Sequence, residues 1–181
     1  MIVSFFIQEN LMIKSFAPVI DETTEVLIIG TMPGVKSLQM AQYYAHPYNA
    51  FWKIIAELFN NGQPFSNYQE KQQCLLKHHL GLWDSLQLCQ REGSLDSDIC
   101  EEQPNDFAKL LKEYPSVRFL LFNGQAAFKF FKKYHCPILE KMSFHILPST
   151  SPANASITYS DKLNAWKQQL AMNNIVFNRF G

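Results

Sequence analysis

Four short apolar runs are spaced along this chain, and each one ends in polar or turn-forming residues. The runs are Val26 to Gly30, Gly81 to Leu86, Val117 to Asn123 and Phe144 to Pro148. Apolar runs of this length, bounded by turn residues, predict buried β-strands. Strands that are apolar on both faces need covering layers above and below them.

The segments between these runs carry apolar residues at the spacing of one helix face. One set is Phe51, Ile54, Ile55 and Leu58, a second is Phe107, Leu110 and Leu111, and a third is Ala127, Phe128 and Phe131. A last helix is predicted from about Tyr159 to Met172, with Leu163, Trp166 and Leu170 on its buried side. Strands that alternate with helices form a parallel sheet covered on both faces, so the pattern predicts an α/β fold.

Polar and turn residues follow each predicted strand. They are Gly30-Thr-Met-Pro33, Asp84-Ser85, Asn123-Gly124 and Pro148-Ser-Thr-Ser-Pro152. Ligands of open parallel sheets bind outside the carboxyl ends of the strands, so we expect these segments to meet at one rim. An aromatic-rich loop from Tyr43 to Trp52 adds one His and one Asn to that rim. A flat heterocycle is the kind of ligand that such a pocket commonly holds.

The overall composition suits one domain with balanced charge. The 181 residues carry 16 Lys and Arg against 16 Asp and Glu, so a polyanion has to be held by a local patch. The 15 Phe and 7 Tyr supply aromatic area for a core or for stacking. We expect a single domain over residues 1–181, with residues 1–11 as a peripheral extension.

The cysteines and the hydropathy exclude several classes of protein. No C-x-x-C pair and no His at zinc-finger spacing accompanies Cys74, Cys89, Cys100 and Cys136. We therefore expect no metal and no cofactor. No stretch approaches the roughly 18 uninterrupted apolar residues of a membrane span, and residues 1–6 are too short for a secretory signal. We expect a cytoplasmic monomer with reduced thiols.

Five segments together resemble the uracil-DNA glycosylase superfamily. They are Gly30-Thr-Met-Pro-Gly34, Tyr44-Ala-His-Pro-Tyr-Asn-Ala-Phe-Trp52, Gly81-Leu-Trp-Asp84, Arg91-Glu-Gly-Ser-Leu-Asp-Ser97 and Leu147-Pro-Ser-Thr-Ser-Pro-Ala-Asn154. They are most similar to the hypoxanthine-DNA (deoxyinosine) glycosylase branch. The resemblance implies a three-layer α/β/α sandwich with a short, mainly parallel four-stranded sheet. It also implies a base excision repair enzyme that flips a deaminated base out of DNA and hydrolyses its N-glycosidic bond. Because no Lys is clearly placed for Schiff-base chemistry, we expect this enzyme to be monofunctional.

The resemblance assigns the catalytic role to Asn49. Many members of the superfamily carry an Asn or Asp in the first motif, where this chain has Thr31 and Met32. The hypoxanthine branch shares that departure, and its catalytic amide comes from the Asn of a His-Pro-x-Asn segment, which matches Asn49. An amide can hold water below C1′ and turn its carbonyl dipole toward the positive charge that develops on the sugar. From the residues alone, Asn49 is more often a loop residue that hydrogen-bonds the backbone before a helix.

The resemblance also implies four residues that bind the base. Tyr44 matches the aromatic residue on which the flipped base stacks. Asp84 matches a reader of the base edge, where a carboxylate accepts the N1–H of hypoxanthine or the imide N–H of uracil; its alternative role is to cap the segment after its strand. Backbone N–H groups near Thr31 and Met32 are expected to hold the base carbonyl, with the identity of the side chains mattering little.

The segment after the last strand resembles the arm that contacts DNA phosphates and fills the gap left by the flipped nucleotide. The implied DNA contacts are Ser149, Thr150, Ser151 and Asn154, the last as a wedge. Several branches have a His at the start of this motif, where this chain has Leu147. His46 is an accessory candidate, either as an acid or base or as a brace for the loop.

Three alternatives stay open. A uracil-specific glycosylase would use the same reaction, and a binding module of this fold would recognise a damaged base without cleaving it. The run from Gly30 to Ser37 nearly matches the phosphate loop of nucleotide hydrolases, but Val35 stands where that loop requires a second Gly.

Overall fold

A computed structural model describes residues 12–175, and the predicted extension at residues 1–11 lies outside them. The strands are β1 (Ile13–Lys14), β2 (Val26–Gly30), β3 (Leu80–Asp84), β4 (Leu86–Gln90), β5 (Cys100–Pro104), β6 (Phe119–Asn123) and β7 (Ser143–Leu147). The helices are α1 (Val35–Met40), α2 (Phe51–Phe59), α3 (Tyr68–Lys77), α4 (Phe107–Glu113), α5 (Gln125–Leu139) and α6 (Tyr159–Met172).

The central sheet contains the four strands that the apolar runs predict. Its order is β3-β2-β6-β7, and every neighbouring pair is parallel. Gly30 is in register with Asp84, and Asn123 is in register with Leu147. Because the register aligns these last residues, the four carboxyl ends lie side by side, as predicted.

Helices cover both faces of the central sheet. On one face Ile28 and Leu121 pack with α2 and α6, through residues such as Phe51 and Trp166. On the other face Leu27, Ile29 and Phe122 pack with α4 and α5. Successive residues of a strand point to opposite faces, so a run such as Val26–Gly30 fills both cores. The predicted three-layer α/β/α sandwich is confirmed.

A second, antiparallel sheet was not predicted. Its order is β1-β4-β5, and it begins where the chain leaves the central sheet. Ser85 separates β3 from β4, so the predicted strand Gly81 to Leu86 is in fact the end of one strand and the start of another. The Ser85 backbone N–H donates to the carbonyl of Gly30, which ties this junction to the end of β2. The small sheet thereby supports the rim.

The described helices include none that could cross a membrane, since none of them is long and apolar enough.

Candidate active site

A cleft of about 740 Å³ opens at the carboxyl ends of the central strands. Its lining includes one residue from the end of each strand, namely Gly30, Asp84, Asn123 and Leu147. The predicted meeting of the strand ends at one rim is therefore confirmed. A cavity of this size falls in the range that holds small molecules such as a nucleobase with part of its sugar.

The missing side chain of Gly30 makes room for two polar groups. A Cβ on this residue would lie 2.5 Å from Asp84 Oδ1 and 2.9 Å from the Tyr44 hydroxyl. Both distances are shorter than real Cβ contacts, so any side chain here would displace the carboxyl, the phenol or both. Glycine at the end of β2 thus lets Asp84 and Tyr44 converge over one point of the cleft.

Asp84 is nearly buried, with 3% of the residue exposed. Its Oδ2 accepts a hydrogen bond of 2.6 Å from the Ser15 hydroxyl, 69 residues away in the sequence. Burial raises the pKa of Asp84 to about 7; the Ser15 hydrogen bond opposes that rise, the nearby Asp96 adds to it, and the charge of Arg91 opposes it. A large share of the Asp84 carboxyls are therefore neutral at physiological pH.

Tyr44 lines the cleft in a strained backbone conformation. Its φ of 54° lies in the left-handed region, which a bulky residue seldom adopts. Its ring packs on Phe51, with the centroids 4.2 Å apart. Its buried hydroxyl has no hydrogen-bond partner among the described residues. Burial, followed by the charge of Asp84, raises the pKa of this phenol, so the group stays a neutral donor.

Asn49 is half-buried and lines the same cleft. Its side-chain carbonyl accepts a hydrogen bond of 3.0 Å from the backbone N–H of Phe51, at the start of α2. The alternative structural role of Asn49 is thus present, but it uses one lone pair of an oxygen that has two. The bond to the helix also fixes the orientation of the amide.

His46 is exposed and stabilises its own loop. The backbone N–H of Tyr48 donates to His46 Nδ1 over 3.2 Å, and the carbonyl of His46 accepts from the N–H of Asn49. The residue also lines the cleft. The sequence leaves two roles open for His46, and these two hydrogen bonds support the structural one, which is to brace the loop.

Thr150 is buried within the predicted DNA-binding loop, with 1% of the residue exposed. Its hydroxyl accepts from the Asn123 amide and its backbone N–H donates to the Asn123 carbonyl, both over 2.9 Å. Its own carbonyl accepts from the N–H of Ala50, immediately before α2. Thr150 therefore links β6, this loop and the loop of Asn49, and it presents no free hydroxyl to the outside.

Ser149, Ser151 and Asn154 line the cleft. The amide of Asn154 donates to the carbonyl of Ser149 over 3.1 Å, so the predicted wedge side chain is held within its own loop. The ammonium of Lys162, on α6, donates to the carbonyl of Asn154 over 2.8 Å. Sequence reasoning missed Lys162, because in the sequence it looks like any other polar residue of a helix.

Arg91 and Asp96 belong to one of the five segments that carry the family resemblance, and the sequence assigns neither residue a role. The guanidinium of Arg91 is fully buried and donates to the carbonyls of Pro33 and Gly93. Its Nη1 lies 3.8 Å from Asp96 Oδ1. The other Asp96 oxygen accepts from the Thr31 hydroxyl over 2.9 Å, so the side chain of Thr31 holds this segment against the end of β2.

Met32, the other first-motif residue, is buried and packs in a small cluster with Leu86 and Cys89. It lines the cleft as well.

Desolvation raises the pKa of Asp96, while its hydrogen bond from Thr31 and the charge of Arg91 lower it. Within residues 12–175, the His, Cys, Asp and Glu side chains form no cluster of three that could hold a metal ion.

Residues 17–174 match the uracil DNA glycosylase superfamily, and the chain belongs to that family. It is 37% identical over 157 residues to the hypoxanthine DNA glycosylase of Methanosarcina barkeri (strain Fusaro / DSM 804), covering 86% of this chain and 96% of that protein. It is 38% identical over 143 residues to the hypoxanthine DNA glycosylase of Methanosarcina acetivorans, covering 78% and 87%. The family and branch indicated by the five segments are confirmed.

Two further similarities concern uracil enzymes. The G/U mismatch-specific uracil DNA glycosylase of Schizosaccharomyces pombe is 31% identical over 94 residues, which cover 51% of this chain and 27% of that protein. The solution NMR structure of a candidate uracil DNA glycosylase from Methanosarcina acetivorans superimposes with a TM-score of 0.71 at 32% identity, covering 87% of this chain and 98% of that one. The predicted fold agrees with this structure.

Proposed function

We propose that this protein is a monofunctional DNA glycosylase that removes hypoxanthine from deoxyinosine in DNA, as a step of base excision repair. The observation that carries the proposal is the cleft itself, which brings the Asn49 amide, the Tyr44 ring and the Asp84 carboxyl into one cavity at the strand ends. The names of the two Methanosarcina relatives support hypoxanthine as the base.

Asn49 is the residue proposed to act on the water. Cleavage of the bond between base and sugar builds positive charge on the sugar, so a weak nucleophile suffices if it is held in place. The side-chain oxygen of Asn49, already fixed by the N–H of Phe51, has a second lone pair for that water. The amide orients the water and stabilises the sugar cation, and it does not need to remove a proton.

The other wall of the cleft is proposed to bind the base. Tyr44 offers the aromatic surface, and the backbone N–H groups near Thr31 and Met32 hold the base carbonyl. Asp84 contacts the edge of the base. Its carboxyl accepts the N1–H of hypoxanthine through a carbonyl-type oxygen in either protonation state.

DNA containing deaminated bases is the proposed partner. Ser149 and Ser151 supply hydroxyls for phosphate contacts, while Thr150 positions their loop from beneath and Asn154 holds its shape. His46 keeps an accessory role in the opposite loop. A single domain, a monomeric state and a cytoplasmic location complete the proposal.

Lys36 lies in the lining of the cleft, and an amine there is the group that a bifunctional enzyme would use. The proposed reaction uses water, so borohydride is expected to trap no covalent complex between the protein and DNA. Trapping that disappears in Lys36→Ala would contradict the monofunctional assignment.

A panel of oligonucleotides that each carry hypoxanthine, uracil or xanthine tests the proposal. Under single-turnover conditions, the protein is expected to release free hypoxanthine fastest and to leave an intact abasic site. Faster release of uracil would favour the second candidate, a uracil glycosylase, which the match to the Schizosaccharomyces pombe enzyme supports. Binding of deoxyinosine DNA without release of any base would favour a binding module.

A further inference from the structure

We propose that Asp84 is the proton donor of the reaction, and that in its neutral form it transfers its proton to N7 of hypoxanthine as the bond between C1′ and N9 breaks. The inference rests on the proposed function and moves the contact of Asp84 from N1–H to N7, because Oδ1 is the oxygen left for the base and N1 and N7 lie on opposite sides of the O6 carbonyl. It also assigns a role to the segment from Arg91 to Asp96, which is to favour the protonated form of the Asp84 carboxyl.

The burial of Asp84 favours the neutral acid. The residue is 3% exposed, and no ion pair involves it among the described residues. A carboxyl that is removed from water without a cationic partner takes up a proton instead of staying charged. Ser15 occupies Oδ2, so Oδ1 is the oxygen that stands over Gly30 at the floor of the cleft.

The nearby cation, Arg91, pairs with Asp96 and not with Asp84. Arg91 lies closest to Asp96, and its remaining N–H groups point to backbone carbonyls. Asp96, held by the Thr31 hydroxyl, offsets the charge of Arg91 and adds its own repulsion to an ionised Asp84. Asp96 is therefore a positioning residue for the Asp84 proton.

The other titratable groups around Asp84 are phenols. The groups that face it are Tyr43 and Tyr44 from the aromatic loop, Tyr68 from α3, and Asp96 with Arg91 from the segment after β4. Burial raises the pKa of all three tyrosines, so they remain neutral while Asp84 titrates. The Tyr44 hydroxyl, which has no partner among the described residues, is a second donor beside the same base.

The chemistry balances without any other reactant. The electron pair of the C1′–N9 bond goes to the base, and the proton of Asp84 goes to N7, so hypoxanthine leaves as a neutral molecule. The water held by Asn49 bonds to C1′ and releases one proton to solvent, and Asp84 regains a proton from solvent. Without this transfer the base would leave as an anion, in a buried site close to the carboxyl of Asp96, whose negative charge would oppose it.

The pH dependence of hypoxanthine release tests the inference in the wild-type protein. With enzyme in excess over deoxyinosine DNA, the rate is expected to fall about tenfold for each pH unit above about 7, because the acid form is lost. A matched oligonucleotide with 7-deaza-2′-deoxyinosine, which has no N7 acceptor, is expected to lose its base at least about 10²-fold more slowly. Release of hypoxanthine at a rate that is flat to about pH 8.5 would overturn the inference and leave the proposed function intact.

Two substitutions separate donation of the proton from simple contact. Asp84→Asn keeps the shape and the polar edge, and we expect it to lower the rate at pH 6 by about 10² or more and to remove the alkaline fall. Asp96→Asn is expected to move that fall to lower pH, while Asp98→Asn, on an exposed position of the same turn, leaves it in place.

Three further results count against the inference. An Asp84→Asn protein with the wild-type rate and profile overturns it, and so does equal release of the 7-deaza base. A protein that releases no base at any pH removes the proposed function and the inference together.

Discussion

Gly30 is the residue on which the geometry of the proposed base site depends most directly. A side chain there would occupy the space used by the Asp84 carboxyl and the Tyr44 hydroxyl. The sequence shows only a Gly at the end of an apolar run, which is equally typical of any turn. The reason for this Gly becomes visible once the distant groups above it are known.

We expect Gly30→Ala to lower the free energy of unfolding by about 1 to 3 kcal/mol and to reduce base release sharply, because the new methyl group displaces both polar groups. Gly62→Ala is the matched control. That glycine has a φ of 72° and lies outside the lining of the cleft, so a side chain there strains the backbone and lowers stability without displacing Asp84 or Tyr44. Denaturant unfolding and single-turnover release measure the two effects, and equal release rates for the two variants would contradict this role of Gly30.

Asp84 makes the fold less stable as the pH rises. Its pKa is about 7 in the folded protein, above the ordinary value of about 3.9 for Asp in an unfolded chain. Between these values the folded protein holds a proton that the unfolded chain has released, so this contribution to stability decreases from about pH 4 to about pH 7.

At pH 8 we therefore expect Asp84→Asn to be more stable than the wild type by on the order of a few kcal/mol, and the difference to shrink at pH 5. Urea unfolding at both pH values measures it. Glu22→Gln, at an exposed position, serves as a control with little change. A destabilised Asp84→Asn protein at pH 8 would contradict the burial argument.

At the scale of elements, the segment from Arg91 to Asp96 works as a clamp on the rim. Arg91 joins it to Pro33, and Asp96 joins it to Thr31, both just beyond the end of β2. Because the guanidinium is fully buried, its carbonyl partners lose their hydrogen bonds if the donors are removed.

Arg91→Lys tests the clamp, since one ammonium cannot replace a planar fork that reaches two carbonyls. We expect a loss of about 2 to 4 kcal/mol of stability together with slower base release. Arg118→Lys is the comparison, because its pair with Glu25 is 47% and 39% exposed and should contribute less than about 1 kcal/mol. Thermal unfolding measures the loss of stability in both variants. A similarly small loss in each would contradict the proposed clamp.

The loop after β7 combines the buried Thr150 with the half-buried Ser149 and Ser151. Thr150→Val removes the hydroxyl that accepts from the Asn123 amide, so we expect it to lower stability by about 1 to 3 kcal/mol. Ser149→Ala with Ser151→Ala should instead weaken binding of DNA and leave its dependence on salt unchanged, because a neutral hydroxyl releases no counterion, with a smaller loss of stability from the two loop hydrogen bonds. Unfolding and binding titrations at two salt concentrations separate the roles; the reverse pattern would contradict them.

For the whole molecule, the central sheet and its covering helices follow from local sequence. Val26–Gly30 is apolar throughout because both of its faces are buried, and α2 presents apolar residues on one face because that face packs on the sheet. These are local patterns, and they predicted four strands, four helices and the side of the sheet on which the site lies.

The parts that were missed depend on distant contacts. β5 contains two Glu and a Pro, and its pairing with β4 shifts register twice, so neither strand has a regular alternation. α3 is mostly polar and buries Leu75 alone, which gives a weak helical pattern. The Ser15 bond to Asp84 and the Thr31 bond to Asp96 join residues 69 and 65 apart, which spacing cannot show.

The position of Asn49 depends both on its local sequence motif and on distant contacts. The family resemblance identified it, and the fold brings it to the cleft from a loop that is tied through Ala50 to Thr150 and so to β6. The N–H of Phe51 donates to the side-chain oxygen of Asn49, so the start of α2 also fixes the orientation of the proposed catalytic amide.

The rate of hypoxanthine release by Asn49→Ala, measured in single turnover with saturating enzyme, tests the central proposal most directly. We expect a loss of about 10²-fold or more, with affinity for deoxyinosine DNA changed little, because the amide acts on water and on the sugar cation. Asn164→Ala, at an exposed position of α6, should behave like the wild type. An Asn49→Ala protein that is folded and releases hypoxanthine at the wild-type rate would contradict the proposed role of the amide.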